Sequence, residues 1–207
     1  MKGLVLYAVF SKIRNKNYLT LFLIGLGLWV SWSFYSPPVD PRLYEGFWVS
    51  FFLFAAYFAL ISTLNSIGKD RERGYTEMLF SRPISSLSYL SAWWISFLIY
   101  TLIPMILFMF PVAVYFHGKY GLRIEGLGGI FLSILLIISY SLFFSTFLQG
   151  NSSILLTLIL LFFTGFSKNF PISSFLFPKV EGLGWKFLIL FPGLNFAAYI
   201  ILKRRFP

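Results

Sequence analysis

Four long stretches of the chain hold no Asp, Glu, Lys or Arg: Tyr18 to Tyr35, Gly46 to Ile67, Ile84 to Phe116 and Gly126 to Ser167. A hydrocarbon core takes about 20 helical residues to cross, so the first two stretches each predict one membrane span. Ser36-Pro-Pro stops the first, because proline lacks the N–H a helix needs, and Trp29, Trp32 and Tyr35 crowd that end like an interfacial aromatic belt. In the third stretch, Ser88 to Phe116 is longer than a perpendicular crossing and contains Pro104 and Pro111. It predicts one tilted, kinked span whose freed carbonyls find partners on neighbouring helices. The fourth stretch is about twice a bilayer thickness, and Gln149-Gly-Asn-Ser-Ser153 is its one cluster of turn formers. Two spans follow, about Gly128 to Leu148 and Ile154 to Ser167.

A sixth span is expected over Phe187 to Leu202, closed by Lys203-Arg-Arg205. Before it, Lys168 to Lys186 is apolar but broken by Pro171 and Pro178, which suits short external re-entrant or interfacial helices at 168–186. At the other end, residues 1–17 place Lys2, Lys12, Arg14 and Lys16 around Leu4 to Phe10, an apolar patch too short to span. A helix lying in the interface is expected there. The cations that follow the patch, and the missing Ala-x-Ala pattern, argue against a secretory signal. His117 to Glu125 reads as an external loop. The fold class is therefore an all-α polytopic membrane protein, one transmembrane domain over 1–207 with six transmembrane helices.

Composition agrees: 58% hydrophobic and 12% charged residues, with a mean hydropathy of +0.80, belong to no ordinary soluble domain. The net charge of +10 raises nucleic acid as a partner, but Lys and Arg sit at span ends instead of gathering on one face. Their distribution is topogenic. Lys2, Lys12, Arg14, Lys16, Lys69, Arg71, Arg73, Arg82 and Lys203 to Arg205 fall on one side of a six-span layout, whereas Arg42, Lys119, Arg123, Lys168, Lys179 and Lys186 fall on the other. By the positive-inside rule, both termini and the loop at 68–83 are cytoplasmic in a multi-pass cell-membrane protein.

That loop, Gly68 to Pro83, is the densest cluster of charge in the chain. Gly74 breaks whatever precedes it, and Tyr75, Met78 and Leu79 follow at i, i+3 and i+4, so a short amphipathic helix is expected before Pro83. Spacing alone fits either a helix lying on lipid headgroups or one docked on a protein; an exposed Met and Tyr suit an adaptable protein interface.

The run Glu72-Arg-Gly-Tyr-Thr-Glu-Met-Leu-Phe-Ser-Arg-Pro-Ile-Ser85 resembles the loop after the second span of type-2 ABC transporter permeases, with a Tyr inserted between Gly74 and Thr76. The resemblance implies a cytoplasmic coupling helix between spans two and three that presses on a separate ABC ATPase subunit. Its contact residues would be Glu72, Gly74, Tyr75, Thr76, Glu77, Met78, Leu79, Arg82 and Pro83. It further implies an exporter working with a second permease copy or a similar permease, and ATP and Mg bound on the ATPase, with no cofactor on this chain. The connecting helix at the N-terminus, the broken helices before the last span and Phe191-Pro-Gly-Leu-Asn195 also resemble the family. One departure stands at Trp93-Trp94, where family members often carry Lys or Arg.

Other chemistries find no residues. With no Cys and one His, the chain lacks a thiol nucleophile, a disulfide framework and a zinc set. No Gly-x-Ser-x-Gly and no Walker A loop occurs, since Gly68-Lys69 and Gly118-Lys119 lack both the leading Gly and the trailing hydroxyl. An ion-coupled carrier needs ionisable groups near the midplane, and no predicted span contains one. Energy would have to arrive from outside the membrane. The alternative is a non-transporting scaffold or assembly factor whose basic loop binds another cytosolic protein; a membrane-embedded enzyme comes third.

Overall fold

A computed structural model describes residues 2–13, 15–35, 44–64, 66–81, 84–122, 127–148, 152–166 and 183–205. Within lipid every backbone N–H and C=O must be satisfied inside its own segment, and the described residues are accordingly helical. The order is α1 (Lys2–Ile13), α2 (Lys16–Tyr35), α3 (Tyr44–Ser62), α4 (Ile67–Glu72), α5 (Tyr75–Phe80) and α6 (Ser86–Pro104). A π-helical turn, Met105–Met109, leads into α7 (Phe110–Tyr120), followed by α8 (Leu127–Ser145), α9 (Ser152–Phe166) and α10 (Leu183–Arg205).

Five stretches are long and apolar enough to cross a membrane: Lys16–Tyr35, Gly46–Glu72, Ser86–Tyr120, Leu127–Ser145 and Phe187–Arg205. Six were expected, and the difference is α9. Its 15 residues rise about 22 Å at 1.5 Å each, short of a core about 30 Å thick. Three other boundaries move. The expected second span breaks after Ser62, whose hydroxyl donates to Ala59 O (2.7 Å) while Thr63 donates to Leu60 O (2.7 Å), and the chain restarts as α4. The expected external loop starts later, because α7 carries His117 and Lys119 and ends only where Gly121 adopts φ 69. Ser152 and Ser153, expected in a turn, begin α9. Residues 149–151 and most of 168–186 lie outside the described residues.

The third span is continuous through Pro104 and Pro111, with the π-helical turn Met105–Met109 between the two prolines. Trp29 Nε1 on α2 donates to Phe108 O at 3.3 Å, next to Leu107, whose carbonyl Pro111 leaves without its usual i+4 donor. Trp29 also centres an aromatic core, with Phe51 and Phe54 edge-on at 5.8 and 5.2 Å. α2 and α3 meet at Gly25, where an added Cβ would clash with the Tyr57 ring, whose hydroxyl donates to Leu21 O (2.7 Å). α8 lies deepest, burying Ile134, Ile137, Ile138 and Leu142. Small polar groups knit it to its neighbours: Ser141 Oγ donates to Thr157 Oγ1 (3.1 Å) and Asn195 Nδ2 to Ser139 Oγ (3.1 Å).

Candidate functional site

α4 turns one of its four charged residues inward. Ile67 and Asp70 share a face at i and i+3, and both are buried with Gly68. The Asp70 carboxylate accepts from Tyr7 of α1 (Oδ1, 2.8 Å) and from Tyr89 of α6 (Oδ2, 2.7 Å). One carboxylate thus ties three elements together, and charge-assisted bonds of this kind are the strong ones. Arg71 adds a third anchor by donating from Nη1 to Thr146 O at 2.7 Å, just past the end of α8; Arg205 reaches the same oxygen at 3.4 Å.

α1 is fastened as well. Ser96 donates to Ala8 O (3.1 Å) and Tyr100 to Val9 O (2.8 Å), both from α6. The interfacial helix expected at 1–17 is therefore docked on the bundle along one face, while Leu6, Phe10 and Ile13 stay exposed on another. Lys12 lies on the docked side with 0% exposure, its ammonium 5.1 Å from the Trp93 ring and 5.2 Å from Phe97. The cation that the resemblance would put on the third span comes here from α1, with Trp93 beneath it. Burial holds Lys12 well below the usual lysine range, against the pull of Asp70. Burial and Asp70 together push the Tyr7 phenol up.

Gly74 separates the anchored half from the outer half. It takes φ +71, a left-handed conformation that suits glycine, while Gly74 N donates to Arg71 O and Arg73 N to Lys69 O to finish α4. α5 begins at the next residue. Its inward stripe is Thr76, buried, with Leu79 and Phe80 half-buried against the core at i, i+3 and i+4; the Phe80 ring meets Tyr89 at 5.4 Å. The outward residues are Tyr75 (42% exposed), Glu77 and Met78 (65% exposed). Glu72, also exposed, pairs with Lys69 at 2.8 Å.

The structure thus brings Glu72, Gly74, Tyr75, Glu77 and Met78 to one exposed surface. Leu79 and Thr76 leave it, because the helix needs an apolar stripe on the bundle side and they occupy it. Arg82 and Pro83 lie outside the described residues. Asp70, Tyr7, Tyr89 and Lys12 escaped the sequence reading as functional residues. The available signal was the spacing of Ile67 and Asp70, which puts an acid on the inward face in a stretch otherwise read as solvent-facing. His117, expected in an external loop, donates from Nδ1 to Leu122 O from the last turns of α7. Among the described residues no cluster of His, Asp and Glu could hold a metal.

The family model described as ABC-2 family transporter protein matches residues 6–185, from the docked α1 through the charged loop and the spans that follow. The chain belongs to the ABC-2 transporter family. No curated protein and no solved structure matches it. An ABC-2 permease is the membrane transport subunit of an ABC system, and membership implies an ABC ATPase as partner in addition to the bilayer. The charged loop, α4 and α5 all fall inside the matched region.

Proposed function

We propose that this ABC-2 permease is the transport subunit of an ATP-driven exporter and that α5 is its coupling helix, meeting a separate cytoplasmic ATPase through Glu72, Gly74, Tyr75, Glu77 and Met78. Arg82 and Pro83 extend that contact in the proposal. The observation that carries it is the pairing of an exposed Met78 and Tyr75 with a floor fixed by Asp70 and Arg71 to α1, α6 and α8. Force applied to a helix on such a floor passes to several elements at once, whereas a free loop would absorb it. In this reading both termini and the loop are cytoplasmic, which takes a sixth crossing at α9, its shortness met by local thinning of the bilayer or by packing in the assembly. Two permeases, identical or similar, enclose the path, and ATP with Mg is bound by the ATPase.

Leu79 and Thr76 support α5 from below in this scheme, so substitutions there perturb folding and binding together. Met78→Asp is the clean test, since it puts a charge on an already exposed site. The variant inserts and melts like wild type but loses the ATPase that copurifies with the unaltered chain, together with transport. A variant that keeps both would return the loop to the scaffold reading.

A further inference from the structure

A cavity of about 690 Å³ opens between α1, the α1–α2 junction and the α4–α5 loop. Lys16, Lys69 and Arg73 bring three cations to its lining, and Asn17 and Ser11 add neutral hydrogen-bonding groups. The one anion in the lining is Asp70, whose two oxygens already accept from Tyr7 and Tyr89. Lys69 shares its charge with Glu72, while Lys16 and Arg73, both exposed, have no ion-pair partner among the described residues. The cavity also lies beside the first turn of the 20-residue α2, where the helix dipole favours negative charge. Its electrostatics call for an anion with several acceptor oxygens.

The position narrows the source of that anion. Lys16 is the first residue of a stretch long and apolar enough to cross the membrane, which sets the cavity at the level of the headgroups. One wall is Phe10, and Leu6, Phe10 and Ile13 continue from it as an exposed apolar stripe at i, i+4 and i+7 on α1. A basic, hydrogen-bonding cup continuous with an apolar strip matches an amphipathic anion. We infer that this groove binds the phosphate of an anionic phospholipid, with the headgroup between Lys16 and Arg73 and the acyl chains along α1. The inference goes beyond the proposed ATPase contact and does not rest on it, since the permease alone carries every residue involved.

The test uses the full chain in nanodiscs of phosphatidylcholine with a minority of phosphatidylglycerol, transferred to detergent so that retained lipid can be read by native mass spectrometry. Wild-type protein keeps phosphatidylglycerol in preference to phosphatidylcholine. Each basic side chain near a headgroup contributes about fivefold in binding, so the double variant Lys16→Gln/Arg73→Gln loses about 25-fold. The variant Lys203→Gln/Arg204→Gln, with the same net charge, keeps the wild-type preference. Equal loss in the two double variants would reduce the effect to bulk charge and overturn the site. Absence of any phosphatidylglycerol preference in wild type would overturn it too. Displacement of the bound lipid by inorganic phosphate would assign the cup to free phosphate and overturn the lipid assignment.

Discussion

α4 and α5 are neighbours of six residues each, and they invert the ordinary rule of burial in opposite directions. α4 buries a carboxylate and α5 exposes a methionine. A buried acid persists only where hydrogen bonds replace its water, and Tyr7 and Tyr89 do so for Asp70. An exposed apolar side chain on a short helix adds little to folding, and in the proposed reading Met78 meets the ATPase. The difference teaches that the charged loop has an anchoring half and a presenting half, and that left-handed Gly74 is the joint between them.

The largest expected effect comes from breaking the anchor. Asp70→Ala leaves the buried Tyr89 and the half-buried Tyr7 phenols without their acceptor and removes charge-assisted bonds worth about 1.5 to 3 kcal/mol each, so a loss of about 3 kcal/mol is expected. Thermal unfolding in detergent reads it directly. Tyr7→Phe, which removes one of the two bonds, costs about half as much. If Asp70→Ala melts like wild type, the anchor does not exist in solution. The presenting half gives the opposite profile: Met78→Asp weakens ATPase association by about 2 kcal/mol, roughly 30-fold, and leaves melting within about 0.5 kcal/mol of wild type. Quantitative copurification beside the same melting assay separates the two halves.

Lys12 sharpens the anchor side through pH. Its folded-state affinity for a proton is depressed by burial, so across the range up to the ordinary lysine value near 10.4 the unfolded chain binds more protons than the native one. Native stability therefore rises with pH over the mildly alkaline range, up to about pH 9, where the tyrosines of the cluster have not begun to ionise in the unfolded chain. Lys12→Met keeps the shape, removes the buried ammonium and raises stability by about 1 to 2 kcal/mol near neutral pH. The rise with pH flattens in this variant. A pH dependence as steep in Lys12→Met as in wild type would place its origin in another group.

Much of the bundle was legible in the chain because lipid imposes one demand, a run of apolar residues long enough to cross. α2, α8 and α10 begin and end within a few residues of their expected limits. The charged loop was legible as a loop, and Gly74 as its break, because a glycine between polar residues ahead of an apolar repeat has few other uses. What periodicity misjudged was which way α5 faces. Tyr75, Met78 and Leu79 fall on one side by spacing, but Thr76, Leu79 and Phe80 do so equally, and only the position of α6 and Tyr89 decides between the stripes. Asp70 and Lys12 were hidden for a related reason. Their partners are 63 residues away at Tyr7 for Asp70 and, for Lys12, across the bundle at Trp93, and no local pattern connects such distant positions. The early end of α3 at Ser62 was masked by the apolar Leu64 and Ile67 that continue the run.

Among the variants expected to lower stability, the smallest loss is at the joint itself. Gly74 holds φ +71 with open space around the position a Cβ would take, so Gly74→Ala meets no clash and suffers only the backbone penalty. That penalty is about 1 kcal/mol, the cost of a left-handed conformation in a residue with a side chain. Gly74→Asn, which tolerates this region better, costs less. If Gly74 serves only to end α4, melting and ATPase association fall in the same small proportion in both variants. If it sets the angle at which Tyr75 and Met78 are presented, relief of strain in Gly74→Ala tilts α5, and association falls several-fold while melting shifts little; Gly74→Asn restores the association. Measuring both quantities on both variants decides whether the two halves are merely adjacent or are held at a fixed angle by one residue.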